Sequence, residues 1–149
     1  MRLLRGMLRH GLRLALLFAL PALPAAEFTL SSATLADIRA AFDAGALTSE
    51  KLVSLYLARI AAYDQAGPRI NCMIAVNPRA LEQARALDAE RAAKGSRGPL
   101  HGVPVIVKDN IETAELPTTG GSFVLAGAQP AADAPVIRRL REAGAIIFA

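Results

Sequence analysis

The sequence predicts an α/β layered fold with parallel strand pairs, and two observations carry that expectation. Short apolar runs rich in β-branched residues, at 70–76, 103–107 and 145–149, read as buried strands. Segments with apolar residues at helical spacing separate them, and strands that alternate with helices pair in parallel. At 149 residues the chain is long enough for one core of modest size.

Residues 1–26 stand apart from that pattern. Arg2, Arg5, Arg9 and Arg13 precede the apolar run Leu14 to Leu20, and Pro21 to Ala26 supplies a small-residue exit. A basic start, a short apolar stretch and such an exit mark a secretory signal peptide. The run is too short to span a bilayer as a mature helix. Residues 1–26 are therefore expected to direct export to the periplasm or outside, with the mature chain opening near Glu27. The net charge of +4 comes from 17 Lys and Arg against 13 Asp and Glu, and those four arginines account for the whole excess. The mature part is thus neutral, and no basic stripe with interleaved aromatics remains to suggest nucleic-acid binding, so no nucleic-acid partner is expected.

The elements follow in order. Thr34 with Asp37 forms a capping-box pattern for a first helix through Leu35, Ile38 and Phe42, stopped by Gly45. Thr48 or Ser49 opens a second helix, with Leu52, Tyr56, Ile60 and Tyr63 on one face and Glu50 at its positive end. The 70–76 run holds the single cysteine, Cys72, read as a small buried hydrophobe. Asn77 caps a third helix with Pro78 in its first turn, running to about Ala93 before Gly95. The 103–107 strand follows a Gly/Ser/Arg loop. Ile111 to Ser122 is irregular, and Phe123 to Ala126 is a short helical turn. Asp133 caps a last helix with Pro135 in its first turn and Val136, Ile137, Leu140 and Ala143 inward. The apolar run 145–149 would need neighbours and a following turn, so a longer protein is expected, with this chain as its N-terminal part.

The chemistry centres on Lys108-Asp109-Asn110 at the end of the 103–107 strand. Burial of a lysine disfavours its ammonium, and a lysine that becomes neutral acts as a base. Against this stands a lysine snorkelling into water from a strand end. Ser122 lacks the Gly-x-Ser-x-Gly elbow and an activating histidine, so Thr118 to Ser122 reads as a turn shaping a pocket wall. Glu112 and Glu115 read as solvated, and His101 as a structural turn residue. No Cys/His cluster has metal-ligand spacing, and no phosphate-binding glycine loop is present.

The stretch Gly98-Pro99-Leu100-His101-Gly102-Val103-Pro104-Val105-Ile106-Val107-Lys108-Asp109-Asn110-Ile111 resembles the first block of the amidase signature family. The likeness continues through Thr118-Thr119-Gly120-Gly121-Ser122 and resumes from Asp133 to Ile147. Leu47 to Glu50 and Tyr56 to Ile60 are similar to the family's N-terminal region. The resemblance implies residues 27–149 as the N-terminal portion of an α/β/α fold with a mixed central sheet, incomplete in this chain. It implies hydrolysis of carboxamides by a Ser–cis-Ser–Lys triad, with Lys108 as the lysine, no cofactor, and a small-molecule or peptide amide as substrate. Both serines belong to a Gly/Ser-rich block that these 149 residues do not include, so the chain alone is expected to be inactive and to fold poorly. The alternatives are a truncated product acting by association with a partner chain, and the family's tRNA-linked amidotransferase component. An export signal argues against the last, because charged tRNA is cytosolic.

Overall fold

The computed structural model describes residues 29–149, so the expected signal peptide and the start of the mature chain lie outside the described residues. The order is α1 (Leu35–Asp43), α2 (Ser49–Tyr63), α3 (Ala80–Lys94), β1 (Pro104–Val105), a 3-10 turn (Phe123–Leu125), α4 (Pro135–Glu142) and β2 (Ile146–Ile147). The architecture is α/β. β1 and β2 run parallel with Pro104 opposite Ile146 and Val105 opposite Ile147. Backbone bonds lengthen that pairing: Gly102 N donates to Gly144 O at 2.8 Å and Val107 N to Ala149 O at 2.8 Å.

Local chemistry explains each helix. The Thr34 hydroxyl accepts from Asp37 N, and the Asp37 carboxylate accepts from Thr34 N at 2.8 Å, a reciprocal cap on α1. Gly45, with φ of 67°, turns the chain out of α1, a conformation costly for residues with a Cβ. Thr48 caps α2 through Lys51 N, and Asp88 of α3 accepts from Ser49 N and Glu50 N at 2.8 and 3.0 Å. That carboxylate satisfies helix-terminal donors that otherwise have no partner, and it fixes α3 against α2.

The core forms two clusters that meet at α2. Val53 of α2, Ala80 and Ala84 of α3, and Ile146 and Phe148 form one cluster. Ile38, Phe42, Leu52 and Val103 form the other, and Tyr56 touches both. The Arg91 guanidinium stacks 4.5 Å over the Phe42 ring and donates to His101 O at 2.6 Å, closing the second cluster beneath α3.

Five expectations are corrected. Residues 70–76 are not a strand. Arg69 and Asn71 take φ of 54° and 52°, and Ile70 N and Asn71 N donate to Tyr63 O and Asp64 O. The segment is thereby folded onto the end of α2, leaving Ile70 and Ile74 exposed. Cys72 is exposed, not buried. Asn77 is not the cap of α3: its Oδ1 accepts from Arg79 N at 2.8 Å, so an Asx turn precedes the helix, which begins at Ala80. Asp133 does not cap α4 either. It accepts from Ala114 N and from Arg141 Nε, while Pro135 holds the first helical position and Val136 faces outward. Ile137, expected inward, is fully buried.

Candidate active site

Lys108 is the first residue beyond the paired strands, because Val107 N makes the last bond of the ladder to Ala149 O. Its carbonyl accepts from Ile111 N at 3.0 Å, which turns the chain sharply after the strand. The side chain is exposed rather than desolvated. The apolar run before it does not cover it: Ile106 is itself 59% exposed. Period-2 alternation at the edge of the pair sends Ile106 and Lys108 to the open face.

A cavity of about 240 Å³ borders this face, lined by Lys108 and Asp109, by Met73 and Ile74, and by Ile111, Thr113 and Leu116. Its walls are mostly apolar, and Lys108 supplies the positive group at its edge. Among the described residues no carboxylate lies within ion-pair distance of Lys108.

Asp109 is turned away into the next loop. Its Oδ1 accepts from Thr119 N at 2.8 Å, its Oδ2 accepts from the Thr119 hydroxyl and from Gly121 N at 3.2 Å, and its carbonyl accepts from Gly120 N at 2.8 Å. Gly120 and Gly121 have φ of 57° and 74°, a conformation costly for residues with a Cβ, and it brings their N–H groups to the Asp109 carbonyl and carboxylate respectively. The hydroxyl and N–H of Thr119 foremost, then Gly121 N–H and the neighbouring Lys108 charge, hold the Asp109 carboxyl below the usual carboxylate range. The expectation that Thr118 to Ser122 walls the pocket is corrected. The wall is Leu116 and Pro117, and the loop wraps Asp109. The Thr119 contact has no signature in local sequence, since it joins residues ten apart across an irregular loop.

The other candidates resolve as structural. Ser122 is exposed, and its N–H closes a turn on Thr119 O. His101 is 1% exposed; its Nδ1 accepts from Arg97 N, which assigns the proton to Nε2 for donation to Leu87 O at 2.8 Å. Both ring nitrogens are thus committed to holding the turn before β1. Glu112 is exposed, as expected. Glu115 is not solvated: it pairs with Arg79 at 2.6 Å and Arg141 at 2.9 Å, and accepts from Gln83. Those partners come from α3 and its approach and from α4, so neither flanking sequence advertises them. Among the described residues no cluster of His, Cys, Asp and Glu could hold a metal, and no helix is long and apolar enough to cross a membrane.

Comparison with known proteins matches residues 51–149 to the Amidase family model. A probable amidase of Arabidopsis thaliana is 48% identical over 124 residues, covering 81% of this chain and 24% of the relative. A glutamyl-tRNA(Gln) amidotransferase component of Salinispora arenicola is 40% identical over 120 residues, covering 80% of this chain and 24% of that protein. The structure of native peptide amidase from Stenotrophomonas maltophilia superposes with a TM-score of 0.77 at 45% identity, covering 80% of this chain and 24% of that one. The chain spans about a quarter of the length of the relatives it matches.

Proposed function

Because the chain belongs to the amidase family, we propose that it supplies the lysine of a Ser–cis-Ser–Lys triad that hydrolyses carboxamide C–N bonds. The observation that carries this reading is the placement of Lys108: exposed at the end of a strand pair, at the edge of an apolar cavity, with no carboxylate paired to it among the described residues. In the resemblance the lysine amine takes a proton from the bridging serine, which takes one from the nucleophilic serine. The serine oxygen attacks the amide carbon, the protonated amine departs, and water releases the carboxylic acid from the acyl-enzyme. A base must be the neutral amine, and covering the exposed Lys108 with the serine-bearing part of an amidase favours that form.

The test uses the product of the full open reading frame and a peptide or small primary carboxamide. Ammonia release is expected, and Lys108→Ala should lower kcat at least ~100-fold, the usual scale for a lost general base. Lys108→Arg should be nearly as damaging, because arginine does not deprotonate. Near-normal turnover by either variant would refute the role. Ammonia release without tRNA separates this reading from the amidotransferase one.

The 149 residues alone lack the serine-bearing block, so we propose that in isolation they are inactive. Hydrolysis by the purified chain, lost on Ser122→Ala, would overturn that. Residues 1–26 are proposed to direct export. Mass spectrometry should find a mature N-terminus near Glu27 outside the cytoplasm, and recovery of only the uncleaved form from the cytosol would contradict it.

A further inference from the structure

Lys108 and Asp109 are adjacent and oppositely charged, yet they do not pair. The carboxylate oxygens are occupied: Thr119 N donates to Oδ1, and the Thr119 hydroxyl and Gly121 N donate to Oδ2. Gly121 N also donates to Thr119 Oγ1 at 3.0 Å, so the three donors form one closed group. Thr119 is only 8% exposed, so its two bonds to the carboxylate are partly buried, while the Gly121 bond is exposed. A carboxylate beside an ammonium stabilises the charged amine, the form that is useless as a base.

We propose that Asp109 is a positioning residue for Lys108: the Thr119–Gly121 turn holds its carboxylate away from the neighbouring ammonium and ties that turn to the strand end. The inference rests on Lys108 being the base. Its chemistry is that of a latch: Thr119 and Gly121 supply the donors that would otherwise come from Lys108, and the amine stays available to a serine hydroxyl. The groups facing the pair are few. Among the residues lining the cavity, Cys72 is the other one that titrates, and the Asp64 carboxylate beside it holds its thiol neutral.

The proposal makes two substitutions at the same contact act in opposite directions. Asp109→Asn removes the negative charge, so the acid limb of kcat/KM against pH should move to lower pH. Thr119→Val keeps the charge but removes a donor, so the carboxylate turns toward the ammonium and the limb should move to higher pH. Each shift should be roughly 0.2–0.7 pH unit, the worth of an exposed charge pair. Thr119→Ser keeps the hydroxyl and should restore the wild-type profile. A purely structural role would lower the active fraction without moving the limb. The measurement is made on the full open reading frame product with a primary peptide amide, with Lys108→Ala alongside. Shifts in the same direction, or none, with Lys108→Ala inactive, would overturn the role of Asp109 alone. A fully active Lys108→Ala would overturn Lys108 as base and this inference with it.

Discussion

The Asn77 side-chain amide donates to Ile147 O at 2.7 Å, across 70 residues of chain. Asn77 N also donates to Phe148 O, so one buried residue lines the edge of β2 where a further strand would lie. Asn77→Ala leaves the Ile147 carbonyl without that donor and should cost about 1–3 kcal/mol. Asn77→Asp should cost more, since an ionised carboxylate can only accept and would face a carbonyl oxygen. Urea midpoints of the full open reading frame product check both; equal midpoints for wild type and Asn77→Ala would contradict the role.

Ser49 and Gly102 make a second pair. Ser49 is fully buried and its Oγ has no hydrogen-bond partner. A Cβ built on Gly102 would overlap that Oγ and lie 2.9 Å from Ser49 Cβ, and Gly102 has φ of 78°. Ser49→Ala removes a buried unsatisfied hydroxyl and should be neutral or stabilising by up to about 1 kcal/mol. Gly102→Ala should destabilise by about 1–3 kcal/mol from strain and overpacking. Part of that loss should be recovered in the Ser49→Ala background, because one of the two overlaps is gone. Strict additivity in thermal unfolding would show that the two sites do not touch.

These pairs also show which parts of the fold were legible in sequence. Thr34 and Asp37 predicted α1 because a capping box is complete within four residues. Thr48 and Pro135 did the same for α2 and α4, and the run ending at Lys108 marked both β1 and the candidate site. The 70–76 run misled because its apolar residues match a strand, while the Asp64 and Tyr63 carbonyls at the end of α2 captured its N–H groups first. Asp133 misled for a related reason. Its carboxylate had a stronger partner in Arg141, eight residues on, than the helix terminus offered. Asp109 with Thr119, and Glu115 with Arg79, are loop or long-range contacts whose partners have no fixed spacing, so no periodicity reveals them.

Acid should unfold the chain partly through its hydrogen-bonded carboxylates. Bonds from the Thr34 backbone and then its hydroxyl lower Asp37, and the Arg97 guanidinium lowers Glu90, with which it pairs at 2.5 Å. A depressed folded-state value means that the unfolded chain binds protons first as pH falls. The stabilisation is complete above the unfolded values of about 3.9 and 4.3, and is lost as pH falls through the lower folded ones. Urea midpoints should therefore be flat from neutral pH to about 5 and decline below about 4. Asp37→Asn and Glu90→Gln should each lower the neutral midpoint and shallow the acid decline. A variant that keeps the full wild-type slope would remove its residue from this account.

Cys72 offers a test that needs no catalysis. The thiol is exposed, which by itself would make it easy to alkylate. Asp64 opposes that. Its carboxylate accepts from Cys72 N at 2.6 Å, and the carboxylate beside the thiol, with some burial, raises the thiol above its ordinary value. The reciprocal effect is a lowered Asp64 carboxyl, chiefly from the Cys72 side chain and then from its N–H. Thiolate is the reactive form, so an exposed cysteine here should still react slowly with iodoacetamide at pH ~7–8. Asp64→Asn removes the charge and should accelerate alkylation by roughly 3- to 10-fold near neutral pH, because more of the thiol is then ionised. Rapid wild-type alkylation, unchanged in Asp64→Asn, would mean that Asp64 does not hold the thiol. It would also count against the Asp64 carboxylate bond to Cys72 N, since that bond sets the carboxylate beside the thiol.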